Sequence, residues 1–200
     1  GQRPDCRRSQ RLTDMPGQPN VLLIITDQWR GDCLSIAGHP VVHTPYLDTL
    51  AARGARFTQA YSACPTCIAA RASLFTGMNQ ASHGRIGHLD GVPWNYPVTL
   101  AGEFTRNGYQ TQAIGKMHVY PERSQVGFQN VILHDGFFNY PRFGHHNYDE
   151  MDDYIPWLRL RAGADADYFS HGVHCNSYVA RPWDREENLH PTNWLTQQAV

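Results

Sequence analysis

The chain has 200 residues, of which 41% are hydrophobic and 18% are charged, as in ordinary globular proteins. This length is sufficient for one domain with a sizeable core. The formal net charge of −1 gives no reason to expect nucleic acid or an anionic membrane surface as a partner. No apolar run approaches the roughly 20 residues that span a bilayer, and five scattered cysteines do not indicate a disulfide framework.

The N-terminal residues 1–19 are polar and contain several Arg, Pro and Gly residues, which predicts a disordered tail or extension. No apolar segment follows the basic N-terminus, so no signal peptide is predicted and the cytoplasm is the expected compartment. Residues 20–200 are predicted to form the folded part of the chain.

The first predicted element is a strand at Val21–Ile25. A short continuous run of β-branched residues and leucines is typical of a strand buried on both faces of a parallel sheet. The run leads into Asp27, which would put a carboxylate at the edge where open α/β sheets bind their ligands.

Four helices are predicted from capping residues at their starts and from glycines at their ends. They cover residues 45–53, 69–75 and 99–107 and a segment that begins at Pro191. Further strands are predicted at residues 55–61, 110–114 and 131–133. The alternation of strands and helices predicts an α/β fold.

Residues 135–187 are rich in aromatic residues, histidines and acids and show no clear helical or strand period. A stretch of this length without regular elements is unusual inside a compact domain. Long irregular segments often carry function, so we expect an insertion that faces the substrate.

The segment Cys67-Ile-Ala-Ala-Arg71, followed by Thr76-Gly77, is the most informative part of the chain. A cysteine four residues before an arginine, at the start of a predicted helix, combines a reactive group with a charge that can hold an anion. Two other interpretations stay open. Cys67 can be a buried structural residue, and Cys64-Pro-Thr-Cys67 can be a redox pair next to a helix N-terminus.

A second segment, Gly108 to His118, predicts a strand that ends in a glycine turn and then presents Lys116 and His118. In an extended backbone, residues two positions apart point to the same face. A tetrahedral dianion or monoester would therefore meet an ammonium group and an imidazole that can relay a proton.

These segments resemble the signatures of the sulfatase family. Cys67, Ala69, Arg71, Thr76 and Gly77 match the first signature, which usually has Pro and Ser where this chain has Ala69 and Ala70. Gly108 to His118 is similar to the second signature over its full length. Asp27-Gln28 and Arg30 resemble a bacterial branch shared by some arylsulfatases and phosphonate monoester hydrolases.

The resemblance implies the N-terminal portion of an alkaline-phosphatase-like α/β domain, with a mostly parallel sheet flanked by helices. It implies that Cys67 is oxidised to formylglycine, whose hydrated aldehyde attacks the sulfur of a small-molecule sulfate ester. It further implies that Arg71 holds this hydrated group, that Lys116 binds sulfate oxygens, and that His118 binds sulfate and helps to expel it. A formylglycine-generating or other sulfatase-maturing enzyme would be a partner.

The same resemblance implies that Asp27 and position 67 ligate a divalent metal. Oxygen ligands favour a hard cation, so Ca²⁺ is expected, with Mg²⁺ or Mn²⁺ as alternatives. Family members run to several hundred residues, so the chain is expected to be a fragment without turnover on its own. The oligomeric state is left open.

Three alternatives remain at this point. Sulfate and phosphate esters share shape and charge, so the same fold could hydrolyse phosphonate or phosphate esters. A protein of a different class would use Cys64 and Cys67 for thiol–disulfide exchange. A remnant that binds a ligand without catalysis is the third.

Overall fold

The computed structural model describes residues 17–136, 147–169 and 180–200. The chain divides into two compact units, Gly1–Thr58 and Gln59–Val200. Of the predicted N-terminal tail, residues 1–16 lie outside the described residues, and residues 17–19 are exposed and form no regular element.

The first unit contains helix α1, Pro45–Arg53, which begins and ends as predicted. Thr44 precedes the helix, but its hydroxyl donates to Asp48 Oδ1 at 3.0 Å instead of capping the first helical N–H groups. Asp48 also accepts from the Ser35 hydroxyl at 2.6 Å. Asp48 therefore ties a short 3₁₀ turn, Ser35–Ala37, to the first turn of α1.

The strands predicted at Val21–Ile25 and at residues 55–61 are wrong. Both segments are irregular, and Val21–Ile25 is exposed, from 45% at Ile25 to 80% at Leu22. A strand is stable only when a neighbour pairs with its backbone, and none of the described residues pairs with either segment. A hydrophobic run is thus not sufficient for a strand.

Among its described residues, the second unit contains six α-helices, a short 3₁₀ helix at Glu187–Leu189 and two strands. The helices are α2 Cys67–Thr76, α3 Gln80–His83, α4 Leu100–Arg106, α5 Tyr148–Met151, α6 Tyr154–Ala162 and α7 Pro191–Ala199. The strands are β1 Gln112–Gly115 and β2 Asn130–Leu133. The predictions of α2, α4, α7 and both strands are confirmed to within a few residues.

Strands β1 and β2 are parallel, with Gln112 opposite Asn130 and Gly115 opposite Leu133. Both strands therefore end at the same edge, and the segments that follow them leave the sheet side by side. This arrangement confirms the predicted α/β fold with a parallel sheet flanked by helices.

Alternate residues of β2 face two different cores. Val131 and Leu133 pack with Ile68 and Phe75 of α2 and with Trp94. Ile132 packs on the other side in a cluster formed by α6, α7 and neighbouring aromatic residues. The sheet is thus covered by helices on both faces, which explains why its short strands are hydrophobic without a polar face.

The expectation that residues 135–187 contain no regular elements is wrong for part of this segment. Helix α6 lies within it, and Tyr154, Ile155 and Leu158 are fully buried. Pro156 made the segment resemble a loop, but it lies in the first helical turn, where proline is tolerated. The remaining parts at 137–146 and 170–179 lie outside the described residues, and the role of the segment as a substrate-facing insertion stays a prediction.

Within the described parts of the chain, no helix combines the length and the apolar character needed to cross a bilayer.

Candidate active site

Helix α2 presents Cys67 and Arg71 on one side, one turn apart. Cys67 is the first helical residue and is half-buried, while the neighbouring Ile68 and Ala69 are in the core. The Thr76 hydroxyl donates to the Ala72 carbonyl at 2.6 Å at the end of the helix. The burial of Ile68 and Ala69 fixes the rotation of α2 about its axis, and therefore the direction in which Cys67 and Arg71 point.

The Thr76-Gly77 pair of the motif ends the helix. Gly77 has a φ of 68°, in the left-handed region that favours glycine, and its N–H donates to the Ser73 carbonyl at 2.9 Å. Ser73 also bonds His83 Nε2 at 2.9 Å, which links α2 to α3. These residues have a structural role.

Arg71 connects α2 to the segment that follows β1. Its Nη1 donates to the Lys116 carbonyl oxygen at 2.6 Å. Ile68 of α2 and Met117 belong to the same core cluster, so the two segments also pack together. The structure therefore brings Arg71 of α2 next to the backbone of Lys116, and the two sequence motifs meet at this point.

The backbone after β1 turns sharply instead of staying extended. Gly115 has a φ of 95°, and a Cβ atom there would lie 3.2 Å from Leu195 of α7, so glycine suits the position. His118 has a φ of 55°, which is unusual for a residue with a side chain. The assumption of an extended backbone from Lys116 to His118 is therefore wrong, because a left-handed residue turns the chain.

Asp135 holds this turn and was missed by the sequence analysis. Its Oδ1 accepts hydrogen bonds from the N–H groups of Met117 at 2.6 Å and His118 at 2.9 Å. Asp135 follows β2 just as Lys116 follows β1, at the same sheet edge. The rule that ligand-binding residues follow the ends of parallel strands applies to β2 as well and points to Asp135.

The Asp135 carboxyl group is 3% exposed, and its Oδ2 has no hydrogen-bond partner among the described residues. Burial raises its pKa above the usual value, while the two backbone donors and the charges of Arg71 and Lys116 partly offset this effect. A buried acid and two cationic side chains thus share the sheet edge.

The His118 ring is also buried, and its Nε2 lies 3.4 Å from Asp90 Oδ1. Burial, followed by the positive charge of Lys116, lowers the pKa of His118 to about 4. The imidazole is therefore neutral at neutral pH and can accept a proton. It lines a cavity of about 140 Å³ together with Asp90, Glu122 and Ile68 of α2.

The predicted metal ligand Asp27 belongs to the first unit, where it is exposed in a bend rather than at a strand end. Gln28, beside it, has a φ of 51°. Its role as a ligand, like the roles of the other site residues, stays a prediction.

Cys64 and Cys67 both carry free thiols. Cys64 is buried, and its Sγ lies 3.2 Å from the Thr66 hydroxyl, a contact that lowers the pKa of the thiol. Thiol–disulfide exchange needs an accessible thiolate. The burial of Cys64 makes it a poor attacking group and weighs against the redox interpretation.

The sequence profile of the family described as Sulfatase matches residues 19–192. The chain belongs to the sulfatase family. This sulfatase-family chain is 50% identical over 187 residues to an arylsulfatase of Clostridium perfringens, a match that covers 92% of the chain and 39% of that protein. It is 42% identical over 106 residues to an ulvan-active sulfatase of Formosa agariphila, covering 53% of the chain and 20% of that protein.

The fold of this sulfatase-family chain is similar to a crystal structure of the phosphonate monoester hydrolase of Agrobacterium radiobacter, with a TM-score of 0.66 and 26% sequence identity. That match covers 91% of the chain and 37% of the hydrolase. The chain thus spans about two fifths or less of the length of each of these relatives. The predicted family and its alkaline-phosphatase-like fold are confirmed.

Proposed function

We propose that the full-length protein hydrolyses sulfate monoesters, with a formylglycine derived from Cys67 as the nucleophile. The observation that carries this proposal is the bond from Arg71 to the Lys116 carbonyl, which joins the two sequence motifs at 2.6 Å. The similarity to the Clostridium perfringens arylsulfatase supports an aryl sulfate as the substrate class.

The position of residue 67 suits an anionic reaction. The first residue of a helix lies at the positive end of its dipole, which favours negative charge. The Arg71 guanidinium has five N–H donors, of which the Lys116 carbonyl takes one, so further donors can hold the hydrated aldehyde. The Lys116 ammonium would supply a point charge to the sulfate oxygens.

In the proposed reaction, one hydroxyl of the hydrated aldehyde forms a bond to sulfur, and the bond from sulfur to the alcohol oxygen breaks. The attacking hydroxyl gives up its proton as it bonds to sulfur, and the departing alcohol oxygen takes up one proton, so this step is neutral in protons. His118 then accepts the proton of the second hydroxyl, the C=O bond of the aldehyde reforms, and the bond between that carbon and the sulfate oxygen breaks, which releases sulfate. Water then hydrates the aldehyde again. The lowered pKa of His118 leaves its imidazole unprotonated at neutral pH, so that a ring nitrogen is available to accept this proton.

The donor chemistry at the expected metal site depends on the conversion of Cys67. Ca²⁺ prefers oxygen ligands, which the Asp27 carboxylate and a hydrated aldehyde provide but a thiol does not. When bound, the cation would supply positive charge that stabilises negative charge on oxygen. We therefore propose that Ca²⁺ affinity depends on the modification.

The direct test of the proposal is whether Cys67 is converted to an aldehyde. The full-length protein, produced in a host that has a sulfatase-maturing enzyme, is expected to carry an aldehyde at residue 67 and to hydrolyse an aryl sulfate. Mass spectrometry of the peptide, with and without capture by a hydrazide, measures the first property. A thiol at residue 67 in a preparation that still hydrolyses aryl sulfate would contradict the proposal.

Replacing Arg71 by alanine is expected to lower kcat/KM for an aryl sulfate by about 10²- to 10³-fold, because a fixed charged donor beside the reacting oxygens is removed. Steady-state kinetics of the full-length protein measure the effect. Arg56→Ala, at an exposed position of the first unit, is the matched control and should retain normal kinetics. Equal losses of kcat/KM in Arg71→Ala and Arg56→Ala would show that Arg71 has no specific role in the active site.

The similarity to the phosphonate monoester hydrolase supports a second candidate substrate class, because a phosphonate monoester presents a similar tetrahedral anion. Parallel kinetics with an aryl sulfate and an aryl phosphonate distinguish the two. We expect the higher kcat/KM for the sulfate, since the arylsulfatase match has the higher identity. The reverse order would assign the protein to phosphonate ester hydrolysis.

A further inference from the structure

Two side chains outside the predicted catalytic set, His88 and Asp90, converge on His118. His88 and Asp90 lie on the loop between α3 and α4, and His118 lies on the turn after β1. One ligand atom from each of these residues lies within 4.8 Å of the other two. This cluster, called here the His–Asp–His cluster, contains none of the residues that the family resemblance assigns to the metal.

We propose that the His–Asp–His cluster binds a divalent ion of the Zn²⁺ class. Two imidazole nitrogens and a carboxylate oxygen form a three-residue ligand set of the kind that zinc takes when its fourth position is open. Ca²⁺ binds six to eight oxygens and has little affinity for imidazole. The cluster is thus matched to a softer ion than the one expected beside Asp27.

The distances in the cluster are close to those around one shared ion, with each carboxylate oxygen of Asp90 facing one imidazole. Zinc bonds of about 2.0–2.1 Å in a tetrahedron place neighbouring ligand atoms about 3.3–3.4 Å apart. Asp90 Oδ1 lies 3.4 Å from His118 Nε2, and Asp90 Oδ2 lies 3.1 Å from His88 Nε2. The His88 side chain is 41% exposed, so it can adjust to close the remaining gap.

The surrounding contacts support the ligands. Asp135 fixes the backbone of His118 through two accepted hydrogen bonds. Arg85 ties down the loop that carries His88 and Asp90, since it donates to the carbonyls of Val92 and Pro93, each at 3.0 Å. Its guanidinium also lies 4.6 Å from the centre of the Trp94 ring. Ligands held in this way lose less freedom when an ion binds.

The cavity beside the cluster provides the fourth position. It has a volume of about 140 Å³, and Asp90, His118 and Glu122 line it. A water molecule or a small anion can therefore complete the coordination from the cavity.

An ion in the cluster would inhibit hydrolysis, a consequence that rests on the proposed function. His118 cannot accept a proton with the nitrogen that binds the ion. Zn²⁺ should therefore reduce turnover even when Ca²⁺ is in excess, because the two ions would occupy different ligand sets.

Binding is tested on the full-length protein, first with Co²⁺ as a spectroscopic substitute and then with Zn²⁺ by calorimetry, both in excess Ca²⁺. One ion per chain with the visible absorption of tetrahedral Co²⁺ is expected. His88→Gln should weaken binding at least about 100-fold, whereas His43→Gln, an exposed histidine of the first unit, should not change it. These readouts do not depend on turnover, so their failure is separate from failure of the proposed function.

Inhibition is tested by the Zn²⁺ concentration that halves the aryl sulfatase rate of each variant, relative to its own rate without Zn²⁺. His88→Gln is expected to raise that concentration by the same factor by which it weakens binding. Absence of Co²⁺ binding, or equal binding by the wild-type protein and His88→Gln, would overturn the proposal. Zn²⁺ inhibition that is unchanged in His88→Gln would place the inhibitory ion elsewhere.

Discussion

Replacing Cys67 by alanine is expected to abolish sulfate ester hydrolysis by the full-length protein, by at least about 10⁴-fold, because the reacting group is removed. The fold should be retained, since Cys67 is only half-buried at the first residue of α2 while the buried Ile68 and Ala69 are unchanged. Kinetics with an aryl sulfate measure the loss, and circular dichroism checks the fold.

Cys64→Ser is the matched control for this experiment. The serine hydroxyl can keep a hydrogen bond to Thr66, so the start of α2 should be preserved and hydrolysis should stay close to that of the wild-type protein. A thiol–disulfide protein would need both cysteines, so Cys64→Ser would abolish thiol–disulfide exchange. Equal loss of sulfate ester hydrolysis in Cys67→Ala and Cys64→Ser would contradict the specific role of Cys67.

Replacing Asp135 by alanine is expected to lower the free energy of unfolding by about 2–4 kcal/mol, because two backbone donors at Met117 and His118 lose their acceptor. The unusual backbone of His118 also loses its support, so kcat/KM should fall by about 100-fold through misplacement of the imidazole. Urea unfolding and steady-state kinetics of the full-length protein measure the two effects.

Asp135→Asn keeps a carbonyl oxygen in the position of Oδ1 and is expected to restore most of the stability and activity. Burial raises the pKa of Asp135 above its usual value of 3.8. Because the pKa of Asp135 is higher in the folded state, protonation of this acid stabilises the fold. This stabilisation is fully present below the pKa of the unfolded state and is lost as the pH rises through the pKa of the folded state.

Because asparagine does not titrate, Asp135→Asn should become more stable relative to the wild-type protein as the pH rises above about 4, the ordinary pKa of an aspartic acid. Unfolding free energies at several pH values give this difference directly. If Asp135→Asn is as unstable as Asp135→Ala at every pH, Asp135 does not hold the turn through its accepted hydrogen bonds.

Helices were predicted well because their boundaries depend on local residues. Pro45 and Gly54 delimit α1, and Gly77 ends α2, through backbone preferences that neighbours in space hardly change. Helix α6 was missed because Pro156 hides its pattern. The run at Val21–Ile25 was predicted wrongly because strand formation depends on a partner strand, and a run of hydrophobic residues does not reveal one.

The residues of the candidate site also divide into those that local sequence predicts and those that depend on distant parts of the chain. Cys67 and Arg71 lie one helical turn apart, and Lys116 and His118 share one turn, so short motifs were sufficient to select them. Asp90 and Asp135 reach His118 from distant parts of the chain. Only the parallel register of β1 and β2 and the course of the loop held by Arg85 bring these carboxylates there.

The parallel pair of strands separates the residues that form the cores from those of the candidate site. Val131, Ile132 and Leu133 are committed to the two cores, whereas Lys116, His118 and Asp135 come only after the strands have ended. Related proteins can therefore exchange residues past the strand ends and acquire new substrates without repacking their interiors. A deletion of a single residue within β2 would instead reverse which side chains meet each core, and we expect evolution to tolerate it far less.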